Sequence, residues 1–401
     1  METKRDKSIE NLPAFLFMLM LWRVLPAKTV ALFAGRSGES LAMGAVVILS
    51  VLAYICYLVS YLHGKLPGGK TILVPIIGLL VLGLSVLFHY NEWNTLYLSY
   101  YVRYVFFSLL ILLSVKDYKY LSELYCKYAL VTFLLLGWQP IVSSNVFANW
   151  MDYGFTIALP CTIGLYVLAK NKRSLIFWAL SIASFLMAIA FANRSTWLCI
   201  VLFICIYEFI IEKGTIKRFV FIAVTLIIVI IIACNIEDIL SWFIAINRTT
   251  NNFNLHSFRK IQSLLSGSSM DIFTSGRQEI TSSAVKVILD SFPFGSGVGY
   301  FETINGIYSH NIALDLLLYW GFFGILAGVL IIIIIFRTIM MEKDLTIKIT
   351  KVILLCMWFP KLLFSSSFTY DLAFWASIVF AIKGISVPNY IEDGNQTIQQ
   401  S

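Results

Sequence analysis

His310 and Asn311 stand side by side where the chain turns into the unbroken apolar run "IALDLLLYWGFFGILAGVLIIIIIF" (312–336). Cations also lie at the edges or interior of apolar stretches. Arg103 is in "LSYYVRYVFF" (98–107), Arg194 in "FANRSTW" (191–197) and Arg277 in "TSGRQEI" (274–280). Lys361 and Asp371 flank a further apolar boundary. Charges at or within a membrane are costly, so they mark a substrate, a pathway or a buried pair. The acids Glu92, Asp152, Glu237, Asp238, Asp271, Asp290 and Glu302 are scattered, with no Asp-x-Asp pair, so no metal site is expected. Arginines without a metal suit phosphate oxygens, which the guanidinium grips as a two-point fork. A diphosphate leaving group needs charge stabilisation, which such arginines supply. The chemistry then needs a base for an attacking hydroxyl. His310 at a helix N-terminus, held neutral by the positive dipole end, could accept that proton. Each residue also has a bland reading: Arg194 as a snorkelling anchor, Arg103 and Lys361 as a buried pair or snorkels, His310 as a polar cap.

The elements that must position these groups are helices in lipid. The chain has 401 residues, is 59% hydrophobic and 13% charged, and has a mean hydropathy of +0.83. A soluble domain cannot hide that much apolar surface, so the class expected is an all-α polytopic membrane protein. A span needs about 20 apolar residues. That length gives about twelve helices, near 12–34, 41–62, 71–89, 96–115, 121–141, 154–169, 174–191, 195–211, 218–236, 311–336, 350–366 and 371–387. Open strands would leave backbone groups unpaired in lipid. The seven cysteines have no Cys-x-x-Cys spacing and read as fillers of apolar helices, not as zinc, redox or disulfide sites.

Lysine and arginine gather in alternate connections: 4–7, 65–70, 116–119, 170–173, 213–218 and 337–348. The positive-inside rule makes these cytoplasmic, together with both termini. The net charge of +8 is then a topology signal, and no nucleic-acid partner is expected. The expected organisation is helices over 1–236, one large extracytoplasmic loop over 237–309, and helices with a cytoplasmic tail over 310–401. In that loop "LHSFRKIQSLL" (255–265) has the spacing of an interfacial helix. "TSGRQEITSSAVKVIL" (274–289) offers Ser275 and Gln278 as a capping box and Ile280, Ala284 and Ile288 along one face. Arg277 falls in the first turn, where a cation gains nothing from the helix dipole, which suits a ligand-binding role. "FPFGSGVGY" (292–300) is a glycine-rich turn without a surrounding βαβ unit; Gly295 and Gly297 would let backbone pack closely against a neighbour.

Four motifs in this order resemble the O-antigen polymerase/O-antigen ligase family: "NRSTW" (193–197), "TSGRQEI" (274–280), "FPFGSGVGYF" (292–301) and "YSHNIALDLLLYWGFFG" (308–324). The resemblance implies a metal-independent membrane glycosyltransferase of bacterial surface polysaccharide, in the inner membrane with a periplasmic active site. Its donor would be an oligosaccharide on undecaprenyl diphosphate, and no cofactor is implied. Arg194 and Arg277 would hold the diphosphate and His310 would act as base, with Asn311, Asp315, Gly295, Gly297 and Arg103 in support. Lipid-linked glycan, the bilayer, and a chain-length regulator and flippase of the same pathway are the implied partners. Two positions depart from the pattern: Trp320 stands where a glutamate is common, with Asp315 the nearest acid, and Asn193 where a serine is common. The arginines serve a polymerase and a ligase to lipid A-core alike; polymerase is the favoured reading. A transporter or flippase ranks below both, because 237–309 has no counterpart in the first half of the chain.

Overall fold

A computed structural model describes residues 9–61, 69–142, 146–147, 149–211, 238, 241 and 277–385. The expected helix over 218–236, the interfacial segment 255–265, Ser275 and the tail beyond 385 lie outside the described residues. Those described are helical, with no strand among them.

The first expected span is a bent pair: α1 (Leu12–Leu21) meets α2 (Val24–Ser60) at 55°. Pro26 causes the break, since it has no N–H to donate to the Trp22 carbonyl. That carbonyl takes the Leu25 N–H instead, at 2.8 Å. Gly35, with φ +70°, breaks α2 again, so a long straight segment starts only at Ser37. There follow α3 (Leu73–Phe88), α4 (Glu92–Leu113), α5 (Tyr118–Val142), α6 (Trp150–Lys172), α7 (Leu175–Phe191) and α8 (Arg194–Ile211). Beyond lie two short elements, α9 (Arg277–Ser291) and α10 (Tyr300–Asn305), then α11 (Ile312–Met341), α12 (Leu345–Phe364) and α13 (Leu372–Ile385). By length and composition six of the described helices can cross a membrane, seven if the bent pair counts as one span. α12 is long enough, but Lys348, Lys351 and Lys361 interrupt it.

Several connections are tied by ion pairs: Lys116 with Glu10 at 3.1 Å, Lys170 with Glu208 at 2.5 Å and Lys351 with Glu342 at 2.7 Å. Buried Lys28 holds Glu39 at 2.7 Å and Asp152 at 2.6 Å. The 89–94 turn meets the glycine-rich turn through Asn91 Nδ2 on the Val298 carbonyl at 3.0 Å. The core gathers around α5, α6, α8 and α12, with Cys126, Cys161, Cys199 and Cys356 buried in it as free thiols.

α11 is broken at Gly321 (φ +59°, ψ −139°), and the glycine-rich turn fills the break. The Leu318 carbonyl would normally accept from Phe322 N–H. It takes the backbone N–H of Ser296 at 2.6 Å and its hydroxyl at 3.0 Å instead, while Phe322 N–H donates to the Pro293 carbonyl at 2.9 Å. Gly295 packs backbone to backbone against Gly321, leaving no room for a Cβ on either. Gly297, at φ +95°, lies under the His89 ring. Gly295 and Gly321 therefore serve close approach of main chain to main chain, and Gly297 that of main chain to a ring.

Candidate functional site

α8 starts at Arg194 because Ala192 and Asn193 are extended, ending α7 and opening α8, and the Thr196 N–H closes the turn on the Asn193 carbonyl at 3.0 Å. Trp197 Nε1 donates to the Ala188 carbonyl at 2.8 Å, which fixes this link against α7. The next residue, Ser195, is buried, and its hydroxyl meets that of Ser365 at 2.9 Å. The Ser365 carbonyl in turn accepts the Tyr308 hydroxyl at 3.1 Å. Tyr308 lies against the His310 ring, with centroids 4.2 Å apart. The α7–α8 link and the His-Asn turn are thus joined through one residue at the end of α12.

Arg277, the first residue of α9, completes the group. Its charge acts on Tyr308, on His310 and on Arg194. Three segments far apart in sequence bring Arg194, Arg277 and His310 together.

His310 does not sit in the first turn of α11, as its place in the sequence suggests. Asn311 is the N-cap, its Oδ1 accepting Ala313 N–H at 2.8 Å and Leu314 N–H at 3.4 Å. His310 precedes the cap in the left-handed region, at φ +61°. Histidine is one of the few non-glycine side chains enriched there, and such strain collects at functional sites. Ser309 stabilises the turn: its hydroxyl bonds to buried Asp315 Oδ1 at 2.5 Å and to the Asn311 carbonyl at 3.0 Å. Asp315 therefore supports the turn from beneath. Burial, and after it the Arg277 cation, lowers His310 from 6.5 to about 4. Proximity to the helix dipole is not the larger cause, because the Asn311 side chain already occupies the first N–H groups. The ring is neutral at physiological pH, and its Nδ1 is buried with no hydrogen-bond partner among the described residues.

A folded value below the unfolded one means that the neutral ring favours the fold. This contribution is whole above about 6.5 and is lost as pH falls toward 4. The neutral form is also the one that reacts with diethyl pyrocarbonate. We expect that reactivity, with His310→Gln as the blank, to persist down to about pH 4 in the wild type. In Arg277→Gln it should fade at a higher pH, nearer the ordinary histidine value of about 6.5. Identical profiles would remove Arg277 as a cause.

Arg103 stands apart. It lies midway along α4 with an exposed side chain, and the groups acting on His310 and Arg277 do not include it. Lys361 forms an ion pair with Asp371 at 2.6 Å, Asp371 being 4% exposed, so the pair reading holds for these two. Arg23, at the α1–α2 break, stacks on Tyr104 at 4.5 Å and feels the Asp371 charge.

Sequence reasoning passed over Tyr308, Ser365 and Glu302. The signal for Ser365 was available, since "SSSFTYD" (365–371) is a polar run between two apolar helices. Its residues are almost wholly buried, as irregular backbone between spans must be when it packs inside the protein. Glu302 looked like one more scattered acid. It is fully buried, accepting the Tyr97 hydroxyl at 3.0 Å and the Tyr319 hydroxyl, and burial raises its pKa. It ties α10 to α4 and α11. Among the described residues no three His, Cys, Asp or Glu side chains converge as a metal site would require.

Fold and site define an all-α protein with several membrane-capable helices and a cationic, histidine-bearing cluster at one end. No known protein family, curated protein or solved structure matches the chain.

Proposed function

We propose that this chain is a surface-polysaccharide polymerase of the O-antigen polymerase/ligase kind. It would have about twelve spans in a bacterial inner membrane and a periplasmic site. There it would move the growing glycan from undecaprenyl diphosphate to the next lipid-linked repeat unit. The observation that carries the reading is the meeting of Arg194, Arg277 and a neutral His310 at one end of the bundle.

The acceptor hydroxyl oxygen forms the new bond to the anomeric carbon of the donor. The bond from that carbon to the diphosphate oxygen breaks, and undecaprenyl diphosphate leaves with the electron pair. Arg194 and Arg277 stabilise the negative charge that develops on it. His310 takes the hydroxyl proton. A bound diphosphate also offsets the Arg277 cation, and with it one of the two causes that keep His310 a weak base. The base therefore strengthens when the donor is in place.

The test is reconstitution in liposomes with the lipid-linked repeat unit of the source cell as the only glycan. We expect longer lipid-linked glycans, with one undecaprenyl diphosphate released per transfer. Turnover only after addition of lipid A-core would make the protein a ligase. No release with either acceptor would overturn the reading.

A further inference from the structure

The glycine-rich turn does more than fill a helix break. α11 carries only two charges, Asp315 and Arg337, and the stretch 316–336 between them is uncharged. Its length matches the roughly 20 residues that cross a hydrocarbon core of about 30 Å. The core boundary on the His310 side therefore falls near residue 316. At a rise of about 1.5 Å per residue, Leu318 to Phe323 lie about 3 to 10 Å inside it. The turn at 293–296 is bonded to this stretch, through Pro293 to Phe322 and Ser296 to Leu318.

The side chains agree with that depth. In α9 the exposed residues near Arg277 are Gln278, Glu279, Thr281 and Ser282. Farther along they include Val285 at 44% and Leu289 at 72%, then Phe292 at 61% and Phe294 at 71%. Phe294 stacks on Phe323 of α11, with centroids 6.2 Å apart. Phe322, Phe323, Leu326, Leu330 and Ile333 continue the same exposed apolar surface along the span. Lys286 and Asp290, the last charges of α9, precede the turn and fit the headgroup layer.

Backbone in hydrocarbon needs its polar groups satisfied by protein, and several groups of this turn are. Phe294 and Gly295 N–H donate to the Ser291 carbonyl at 3.1 and 3.0 Å. Pro293 has no N–H, its carbonyl accepts from Phe322, and Ser296 N–H donates to Leu318.

We propose that residues 291–296 are a re-entrant wedge seated in the hydrocarbon of the leaflet on the His310 side. Its partner is lipid chains, which cover Val285, Leu289, Phe292 and Phe294. The wedge fixes the height of α9, and with it Arg277. By the same helix rise Ile312, the first residue of α11, stands about 6 Å above the hydrocarbon, in the headgroup layer, and His310 lies two residues beyond it. The headgroup layer is where a lipid carries its phosphates. The proposal needs only that α11 spans a membrane, so it stands or falls apart from the reaction.

The test is nitroxide labelling of the full-length protein in lipid nanodiscs, with Cys56, Cys205 and Cys234 replaced to clear the background. Labels are placed at Phe292→Cys, Phe294→Cys and Glu279→Cys. Collision with oxygen, which partitions into lipid, is compared with collision with a water-soluble nickel chelate. Phe292 has no stacking partner among the described residues, so its label reports depth without disturbing the Phe294–Phe323 contact. We expect both phenylalanine positions to favour oxygen by several-fold and position 279 to favour the chelate. Chelate access at 292 and 294 equal to that at 279 would overturn the proposal.

Discussion

His310→Gln should enter the membrane at the wild-type level and make no polymer. Glutamine can lie beside Tyr308 as the histidine ring does, but it cannot take a proton near neutral pH. Loss of a general base costs about 10²- to 10⁴-fold, enough to abolish a visible glycan ladder. The backbone adds a second variant. At φ +61° asparagine is accommodated more readily than glutamine, so His310→Asn separates lost chemistry from a strained turn. Both variants should leave cells with a single repeat unit on the lipid A-core, because one unit still reaches the core when extension fails. Gel analysis of the cell-surface glycan reads this directly. A normal ladder in His310→Asn would refute the base. A bare core with long chains left on the lipid carrier would identify a ligase.

Arg277→Lys should lose most activity while the protein remains in the membrane at its usual level. The charge is kept, but a point charge replaces a planar fork that can grip two phosphate oxygens at once. Removing one preorganised donor to a developing charge costs about 10²- to 10³-fold in comparable sites. Arg277 is the first described residue of α9, and lysine keeps its charge there. Its replacement should therefore leave the helix intact. Arg194→Lys should show the same loss or a smaller one, because Arg194 also starts a span and can anchor it. The measurement is glycan length against protein level in the same membranes. Near-normal long-chain glycan in Arg277→Lys would return the residue to a plain surface charge.

The two variants together also check the electrostatic link within the site. Arg277 is one of the two causes that hold His310 low. Removing the cation should shift the histidine profile, whereas Arg277→Lys, which keeps the charge, should leave it in place. A loss of transfer with an unchanged profile in Arg277→Lys would then be a loss of phosphate grip alone.

By itself the sequence determined the class and the candidate groups. Apolar runs report themselves locally, because what makes a helix stable in lipid is its own length and composition. The helical class and most boundaries were legible for that reason. So was the need for Arg194, Arg277 and His310 to have some purpose, since uncompensated cations beside apolar helices are costly. The close-approach role of Gly295 could also be read from the absence of any nucleotide-binding unit around it.

The tertiary structure decided what depends on residues distant in sequence. Pro26 causes a break that the sequence signals, but its size, 55°, is not written in the local pattern. Asn311 took the cap and left His310 outside the helix, a choice between adjacent polar residues that spacing cannot make. Ser365 became the joint between Ser195 and Tyr308 through single hydrogen bonds spanning 170 and 57 residues. Glu302 turned from a scattered acid into a buried tie because tyrosines 97 and 319 reach it from two other helices. The break at Gly321 and the turn that fills it are each half of one hydrogen-bond exchange. A helical pattern records only bonds to its own preceding turn, so a carbonyl surrendered to Ser296 leaves no trace in the sequence of α11.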